Sequence, residues 1–475
     1  MLEKRDFYID GQWVAPAKAN DFAVIDPSTE EQCAVISLGG QADTDAAVAA
    51  ARAAFDGWSQ TSKAERTALI AKLLDIYNAR SEEMAQAMSM EMGAPIDLSR
   101  AQQVGAGSWH LEGFLKAFED FDFDRDFTAT EKTLLEPIGV CALITPWNWP
   151  MNQIILKAVP AMATGCTMVL KPSEIAPLSG LLFAEFVHEA GFPPGVFNLV
   201  NGDGAGVGSQ LSAHPEVDMV SFTGSTRAGI AISKAAADTL KRVSLELGGK
   251  GANIIFEDAH PKAAKAGAIR CFRNTGQSCN APTRMLVHKS RYDEAVEMAA
   301  ETAKATHVGP ASEEGKHIGP LVSKAQFDKV QALIETGMGE ARLVAGGLGR
   351  PDGLNRGFYA KPTVFADVTN DMTIAREEIF GPVLSIIPFE SEEEAIAIAN
   401  DTPYGLTNYI QTEDDDKRRR VARRLRSGMV ETNGQGFAQG SPFGGYKQSG
   451  NGREGGTYGL EEFLEVKAVS GWAAE

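Results

Sequence analysis

Cysteine is scarce in this sequence, and its spacing argues against two common kinds of site. The 475 residues contain five cysteines with no CxxC pair, and seven histidines with no HExxH spacing. Disulfide frameworks and zinc sites need denser, more regular cysteine or histidine. We therefore expect neither a disulfide framework nor a bound metal. The cysteines are Cys33, Cys141, Cys166, Cys271 and Cys279.

Positive charge is also in deficit. Lys and Arg number 45 against 63 Asp and Glu, which gives a net charge of −18 and a pI near 5.0. A protein that binds the phosphate backbone needs clustered basic residues, so nucleic acid is not an expected partner. A basic run at 417–426 directly follows the acidic residues 413–416. Because a helix dipole favours acid before base, we interpret this run as a solvated helix.

Long hydrophobic runs are missing as well. No apolar stretch approaches the roughly 18 residues that cross a bilayer, and the N-terminal MLEKRDFYIDGQWV lacks the apolar core of a signal peptide. The chain has no low-complexity tract or Pro/Ser-rich linker. We expect a cytoplasmic protein that does not bind membranes, and its length predicts two or three domains.

What the sequence does contain is an alternation of short apolar runs and helical stretches. Residues 42–90 show the 3.6-residue period of packed helices. Strands are then predicted at 139–145, 166–171, 196–201, 217–222 and 242–247, with helical segments between them. This order predicts βαβ units in a doubly wound parallel sheet. A second α/β stretch follows Gly249; its first helix should run from Pro261 to about Asn274 and end at Gly276.

Ligands of a doubly wound sheet bind beyond the carboxyl ends of its strands, where this sequence has distinctive residues. TGST at 223–226 suits a pyrophosphate at a helix N-terminus, although an N-cap alone would also explain Ser225. KPSE places Lys171 and Glu174 where they could contact a ribose or form a surface salt bridge. The usual GxGxxG after the first strand is missing, and GDGAGVG at 202–208 has a different spacing.

Two further residues are candidates for covalent chemistry. Cys279 lies in NTGQSCN, among small polar residues, so it is either a nucleophile or a buried thiol without function. Glu246 ends an apolar strand, where burial would raise its pKa and make it a general base; the alternative is an ion pair with Lys250. Together they suggest a cysteine–glutamate pair beside a nicotinamide.

Seven ordered motifs resemble those of the aldehyde dehydrogenase superfamily, over nearly the whole chain. They are PWNWP (146–150), KPSE (171–174), FTGST (222–226), ELGGK (246–250), GQSC (276–279), EEIFGPV (377–383) and PFGGYKQSGNGRE (442–454). The resemblance implies oxidation of an aldehyde to a carboxylic acid with NAD(P), through a thiohemiacetal and a thioester.

The resemblance also implies the catalytic roles. Cys279 matches the nucleophile, and Asn148 matches the donor that stabilises the oxyanion together with the backbone N–H of Cys279. Glu246 matches the base that activates water for deacylation. Glu454 matches a second acid that relays protons in some family members.

The same resemblance implies where the cofactor binds. Because the carboxylate of Glu174 should repel a 2′-phosphate, NAD is expected, and NADP remains possible. The family has its own arrangement in place of the first-strand glycine fingerprint. The implied cofactor contacts are Ile144, Thr145, Pro146, Trp147, Lys171, Ser173, Glu174, Gly204, Gly208, Phe222, Thr223, Gly224, Ser225, Leu247, Gly248, Glu378 and Phe380.

An aldehyde tunnel is implied at Trp149, Leu156, Phe437 and Phe443. These apolar side chains suggest an apolar aldehyde, although Gln435 and Gln439 could meet a polar tail. No motif supplies an arginine for a carboxylated semialdehyde. The aldehyde itself is not identified by the sequence.

The resemblance implies an α/β fold with three parts. A Rossmann-like doubly wound cofactor domain is expected at 1–118 and 139–248, and an α/β catalytic domain at 249–455. A small β oligomerisation element is expected at 119–138 and 456–475. Its first segment, FDFDRDFTATEKTLLEP, has the alternation of an extended ribbon whose edge a second subunit could cover. A homodimer or homotetramer is the expected assembly.

Three alternatives remain open at this point. A CoA-acylating enzyme would resolve the thioester with CoA rather than water, although Glu246 would then be unnecessary. A cofactor-free cysteine hydrolase would need His288 as its base. A catalytically idle binding protein would leave the complete set of catalytic residue types without a purpose.

Overall fold

The computed structural model describes residues 1–472. The strands are β1 (Leu2–Lys4), β2 (Phe7–Ile9), β3 (Gln12–Val14), β4 (Asp21–Asp26), β5 (Glu31–Ser37), β6 (Asp124–Asp126), β7 (Glu131–Pro137), β8 (Val140–Ile144), β9 (Thr167–Lys171), β10 (Phe197–Leu199), β11 (Met219–Thr223), β12 (Arg242–Glu246), β13 (Ala252–Ile255), β14 (Arg284–His288), β15 (Arg342–Ala345), β16 (Thr363–Ala366), β17 (Val383–Phe389), β18 (Thr407–Gln411), β19 (Met429–Thr432), β20 (Gly450–Asn451) and β21 (Leu464–Ser470).

The α-helices are α1 (Gln41–Ser59), α2 (Lys63–Ala79), α3 (Ser81–Met92), α4 (Ile96–Leu98), α5 (Val104–Glu119), α6 (Pro150–Thr164), α7 (Leu178–Ala190), α8 (Ser209–Ala213), α9 (Thr226–Ala236), α10 (Ala263–Phe272), α11 (Tyr292–Ala305), α12 (Lys324–Glu340), α13 (Thr373–Arg376), α14 (Glu392–Asn400), α15 (Asp415–Arg424) and α16 (Gly456–Glu461). Ser99–Gln103 and Gly204–Gly208 are π-helical. Ala237–Thr239, Arg273–Gly276, Lys289–Arg291 and Lys447–Ser449 are 3₁₀-helical.

The first large sheet has a doubly wound parallel centre. Its order is β20-β12-β11-β8-β9-β10-β2-β3, and β12 through β10 are parallel. The chain runs outward from β8 through β9 to β10, then returns to β11 on the other side of β8. This reversal opens a crevice beyond the carboxyl ends of β8 and β11, where a ligand of such a sheet binds.

A second large sheet has the order β15-β16-β17-β14-β13-β18-β19. All neighbours from β16 to β19 are parallel, and β15 is antiparallel to β16. Helix α10 packs on this sheet and leads into the cysteine-bearing loop. The Rossmann-like and second α/β sheets confirm the predicted fold class.

Two three-stranded sheets complete the described fold. One has the order β1-β5-β4, and the other is antiparallel with the order β21-β7-β6. The second combines the predicted ribbon with the C-terminal strand. Residues 473–475 of the predicted oligomerisation segment lie outside the described residues. The division into domains and the assembly role of this sheet stay predictions.

The helices follow from the sequence pattern in most places. Gly191 adopts the left-handed conformation that ends α7, and the acidic and basic halves of 413–426 form α15 with Asp414 as its N-cap. Helix α6 contains Pro160 and is buried along almost its whole length. No helix within residues 1–472 combines the length and apolar character needed to cross a membrane.

Candidate active site

A cleft of about 220 Å³ lies beyond the carboxyl ends of β8 and β11 and faces the second sheet. Cys279, Glu246 and Asn148, three of the predicted catalytic residues, line it together. Predicted cofactor residues line the same cleft: Pro146, Trp147, Thr223, Gly224, Ser225, Leu247, Gly248, Glu378 and Phe380. Segments far apart in the sequence therefore converge at one place.

The loop that carries Cys279 begins earlier than the sequence predicts. Helix α10 starts at Ala263 and ends at Phe272, rather than running from Pro261 to Asn274. Asn274 and Thr275 take left-handed backbone angles, with φ of 51° and 58°, and so break the helix. Gly276 is also left-handed, and a Cβ there would overlap the carbonyl oxygen of Gly381. Glycine at this position lets the loop pass directly against another backbone.

The surroundings of Cys279 favour the neutral thiol. Burial raises its pKa, and the neighbouring carboxylates of Glu378 and Glu246 raise the pKa further. The backbone N–H of Asn280 acts in the opposite direction and lowers the pKa. The thiol therefore needs a base before it can attack a carbonyl carbon.

Glu246 has the properties expected of that base. It is the last residue of β12, its side chain is buried, and neither carboxylate oxygen has a hydrogen-bond partner among the described residues. Burial raises its pKa, Glu454 raises it further, and Lys157 lowers it. The alternative ion pair with Lys250 is not formed: burial instead lowers the pKa of Lys250 to about 7.

Glu454 is paired with a lysine that sequence reasoning missed. Its Oε1 accepts from the Nζ of Lys157, and both side chains are buried. Lys157 lies in the apolar stretch QIILKAVPAMA of α6, where a lone lysine was a signal that a buried acid would be nearby. Whether Glu454 relays protons is not tested by this geometry.

Asn148 is oriented by its hydrogen bonds. Its side-chain Nδ2 donates to the carbonyl oxygen of Gln277 at 3.2 Å, which leaves the second amide hydrogen free for another acceptor. The backbone carbonyl oxygen of Asn148 accepts from the Nε2 of Gln103 at 3.1 Å and from the Nδ2 of Asn274 at 3.0 Å. Backbone and side-chain amide are therefore both held before any substrate arrives.

A second group of predicted cofactor residues lies outside the cleft's lining, along the same edge of the first sheet. The Nζ of Lys171 donates to the carbonyl oxygen of Pro172 at 3.0 Å and lies 3.4 Å from Oε2 of Glu174. The predicted salt bridge thus exists, but Lys171 itself is buried. The other members of this group are Ile144, Thr145, Ser173, Gly204, Gly208 and Phe222.

The cleft fits the pyrophosphate and nicotinamide ends of a dinucleotide. Ser225 is the N-cap of α9, and its Oγ accepts from the N–H of Ala228 at 3.3 Å. The cap and the predicted pyrophosphate site would therefore share one helix N-terminus. Thr223 Oγ1 is buried without a hydrogen-bond partner in the described chain, although the residue lines the cleft. A bound ligand would give that hydroxyl a partner.

Helix α12 contributes two cleft residues that the sequence analysis missed. The Nε2 of Gln326 donates to the carbonyl oxygen of Phe380 at 2.8 Å, and the Nζ of Lys329 donates to that of Glu378 at 2.9 Å. They hold Phe380 in a left-handed conformation with φ of 60°, and its ring packs edge-on to Trp147 at 5.5 Å. No local pattern marks them, because their partners are about 50 residues away.

The predicted tunnel residues have mixed surroundings. The Nε1 of Trp149 donates to the Oγ of Ser278 at 2.8 Å, next to the nucleophile. Leu156 is buried in α6, Phe443 is partly buried, and Phe437 lies in an exposed loop. In the same loop as Phe437, the Nε2 of Gln439 donates to the carbonyl oxygen of Trp109 at 2.7 Å. The course of the tunnel stays a prediction.

His288 does not meet Cys279. His288 is the last residue of β14, whereas the nucleophile loop leads into the first residue of that strand. The Nδ1 of His288 lies 2.8 Å from the Oγ of Ser290. A cofactor-free hydrolase with this base is therefore not supported by the geometry. Over residues 1–472, no group of three or more His, Cys, Asp or Glu is arranged to hold a metal ion.

The doubly wound sheet and a cleft that holds Cys279, the buried Glu246 and the predicted cofactor residues together are those of a nucleotide-dependent enzyme that uses covalent catalysis. Residues 13–469 match the sequence model of the aldehyde dehydrogenase family. The chain belongs to that family.

Comparisons with individual proteins agree. The chain is 54% identical, over 99% of both chains, to a 3-succinoylsemialdehyde-pyridine dehydrogenase of a Pseudomonas species. A crystal structure of aldehyde dehydrogenase from Bartonella henselae is 58% identical with a TM-score of 0.99, covering 99% of this chain and 100% of that one. Aldehyde dehydrogenase C of Pseudomonas syringae, a cysteine-to-alanine mutant complexed with NAD+ and octanal, is 51% identical with a TM-score of 0.98, over 99% and 97%.

Proposed function

We propose that this enzyme oxidises an uncharged, largely apolar aldehyde with NAD, and that water resolves the acyl-enzyme. The observation that carries the proposal is that Cys279, Glu246 and Asn148 line one cleft with the residues expected to hold the cofactor. Family membership sets the reaction class, an oxidation of an aldehyde. The roles of the individual residues are our assignment.

The first step is the attack of the Cys279 sulfur on the aldehyde carbon. Glu246, buried and without a partner, takes the thiol proton, directly or through a water. The free amide hydrogen of Asn148 and the backbone N–H of Cys279 then stabilise the oxyanion of the thiohemiacetal. Removing one such donor typically lowers the rate about 100- to 1000-fold.

The second step leaves an acyl group on the cysteine. A nicotinamide bound in the cleft supplies the acceptor for the hydride that leaves the thiohemiacetal carbon. Glu378 and Phe380, held by Lys329 and Gln326, form the wall on that side of Cys279. The chain's own contribution is to hold the sulfur and its adduct against this wall.

The third step is hydrolysis of the thioester. Glu246, once it has released the thiol proton to solvent, takes a proton from water in its carboxylate form. The resulting hydroxide equivalent attacks the acyl carbon, the C–S bond breaks, and the Cys279 thiolate leaves as the carboxylic acid is freed. The raised pKa of this carboxyl makes it a stronger base than an exposed glutamate. A CoA-acylating enzyme would not need a base to activate water, so we favour water as the acceptor of the acyl group.

NAD is the cofactor, in keeping with the relatives solved with NAD+. We assign Lys171 and Glu174 to the adenosine ribose, where the carboxylate would bind hydroxyls and repel a 2′-phosphate. The ion pair of 3.4 Å between them keeps Glu174 close to that position. NADP is expected to work less well.

Two relatives support the proposed substrate class. One is named for a semialdehyde that carries pyridine, and the other was complexed with octanal. Neither name describes an aldehyde with a carboxylate at its far end, and Trp149, Leu156, Phe437 and Phe443 are apolar. We therefore infer an aldehyde with an alkyl or aryl tail.

We also infer the division, assembly and location of the protein. Residues 1–118 and 139–248 form the cofactor domain, residues 249–455 the catalytic domain, and the sheet β21-β7-β6 joins subunits into a homodimer or homotetramer. All five cysteines are free, which is in keeping with a cytoplasmic location.

A panel of aldehydes tests the proposal. Pure enzyme is mixed with NAD or NADP and with aliphatic, aromatic or carboxylated aldehydes, and NADH or NADPH absorbance is followed. We expect the highest kcat/KM for uncharged aldehydes with NAD. Absence of reduced cofactor across the panel would contradict the proposal, and acyl-CoA formation when CoA is supplied would favour the CoA-acylating alternative.

A further inference from the structure

A buried tyrosine lies beneath the nucleophile loop. Tyr409, on β18 of the second sheet, is 2% exposed. Its hydroxyl donates to the carbonyl oxygen of Asn280, the residue that follows Cys279. The tyrosine thus contacts the backbone next to the nucleophile.

The local backbone explains why this contact is needed. The N–H of Ala281 donates to the carbonyl oxygen of Ser278 at 3.0 Å, which makes Cys279 and Asn280 the two central residues of a β-turn. That turn uses the carbonyl of Ser278 and leaves the carbonyl of Asn280 without a partner. The Tyr409 hydroxyl supplies the donor for that carbonyl and so completes the turn.

Tyr409 is itself clamped from two sides. It pairs directly with Glu431 of β19, so both side chains lie on one face of the sheet. The Arg270 guanidinium of α10 stacks 4.5 Å from the tyrosine ring, and its Nη2 donates to Oε2 of Glu431 at 2.7 Å. Burial raises the pKa of Tyr409, so its hydroxyl keeps its proton and remains a donor.

Asn280 connects this clamp to the chemistry. The N–H of Asn280 lowers the pKa of the Cys279 thiol, against the effect of Glu378 and Glu246. Its carbonyl is the acceptor for Tyr409. The clamp therefore fixes the residue whose N–H acts on the nucleophile.

We propose that Tyr409, clamped by Arg270 and Glu431, is a positioning residue that fixes the turn carrying Cys279 and Asn280. Tyr409 touches neither substrate nor cofactor and acts through Asn280. This inference rests on Cys279 being the nucleophile of the proposed function. Without the hydroxyl, the turn loosens, the N–H of Asn280 no longer keeps its place near the sulfur, and the nucleophile ionises at higher pH.

The variant Tyr409→Phe tests the proposal, because it keeps the ring under Arg270 and removes only the hydroxyl. Alkylation of Cys279 by iodoacetamide is measured across a pH series, with mass spectrometry of the Cys279 peptide as the readout. We expect the alkylation profile to move to higher pH by about 0.5 to 1 unit and kcat to fall roughly 3- to 10-fold, as for loss of one hydrogen bond. The KM for NAD should stay unchanged.

Tyr359→Phe is the matched control. Tyr359 is 1% exposed, and its hydroxyl donates to the carbonyl oxygen of Ser28 at 3.2 Å, away from the cleft. Equal shifts in both variants, or an unmoved alkylation profile in Tyr409→Phe, would overturn the proposal. Glu431→Gln, which weakens the hold on Arg270, should move the profile in the same direction. If Tyr409→Phe does not fold, an unmoved profile in Glu431→Gln overturns the proposal instead.

The outcome is separable from the test of the proposed function. A wild-type enzyme that forms no NADH with any aldehyde would contradict the proposed function. The Cys279 alkylation profiles would still test the positioning role of Tyr409. Conversely, normal NADH formation together with identical profiles in wild type and Tyr409→Phe would remove only the role of Tyr409.

Discussion

At the scale of single residues, the carboxyl of Glu246 lies between opposing influences. Burial and the neighbouring Glu454 raise its pKa, and the ammonium of Lys157 lowers it. Because Lys157 and Glu454 form a buried ion pair with each other, a change in either one alters the base. The acid limb of the reaction's pH profile should therefore depend on the charges of Glu246, Glu454 and Lys157 together.

Glu454→Gln tests this coupling. Removing a negative charge beside Glu246 lowers the pKa of Glu246, so its carboxylate form persists to lower pH. We expect the acid limb of the deacylation rate to move to lower pH, with the plateau rate reduced less than about 10-fold. Stopped-flow measurement of thioester breakdown from pH 5 to 9 checks this; a limb that moves to higher pH would contradict the assignment of Glu246.

Single residues also show which parts of the site can be predicted from the sequence. Cys279, Glu246 and Asn148 were identified from motifs, and the structure brings them to one cleft. Lys157, Gln326 and Lys329 were not identified, since their partners lie far away in the chain. A side chain that acts through one tertiary contact leaves no local pattern to read.

At the scale of elements, helix α7 depends on a carboxylate from another helix. Pro177, its N-cap, supplies no side-chain hydrogen bond. Glu91 of α3 instead accepts from the N–H groups of Leu178 and Ser179, the latter at 3.1 Å, and from the Ser179 hydroxyl. The carboxyl group of Glu91 on α3 thus caps the N-terminus of α7.

Glu91→Ala should lower the free energy of unfolding by about 1 to 3 kcal/mol, because three buried donors lose their acceptor. The midpoint of urea unfolding measures the effect. Glu83→Ala, the same change at an exposed position of α3, should shift that free energy by less than about 1 kcal/mol. Equal shifts in the two variants would contradict the capping role.

The elements themselves could be predicted from periodicity, but the nucleophile loop could not be predicted in detail. The sequence placed the end of α10 near Asn274, and the helix stops at Phe272. Asn274 and Thr275 adopt left-handed angles that threonine rarely takes. Contacts with Asn148, Gln277 and Gly319 hold them there, and such contacts exist only in the folded chain.

At the scale of the whole molecule, the two large sheets meet at the cleft, and the small sheet β21-β7-β6 lies on the surface. Strand β21 is exposed over most of its length, and Val466 and Phe127 are 70% and 75% exposed. The outer strands β21 and β6 each pair only with β7 within the described chain. Exposed apolar side chains beside open strand edges favour a partner subunit.

Val466→Lys is expected to weaken that association, because it places a charge in the proposed contact. Sedimentation velocity should show a shift from the wild-type oligomer toward smaller species at low micromolar concentration. Leu240→Lys, a matched change at a position that is 91% exposed in a loop, should leave the oligomer intact. A Val466→Lys protein that sediments like wild type would contradict the proposed interface.

The central claim is that an acyl-enzyme forms on Cys279 and that Glu246 activates the water that hydrolyses it. The most direct test is a rapid-mixing experiment with Glu246→Gln, NAD and an aldehyde that the wild type oxidises. We predict a burst of about one NADH per active site that forms more slowly than in wild type, because Glu246 also takes the thiol proton. Turnover should then be at least about 100-fold slower than wild type, with the acyl mass on the Cys279 peptide. Steady turnover at the wild-type rate, without an adduct on Cys279, would contradict the account.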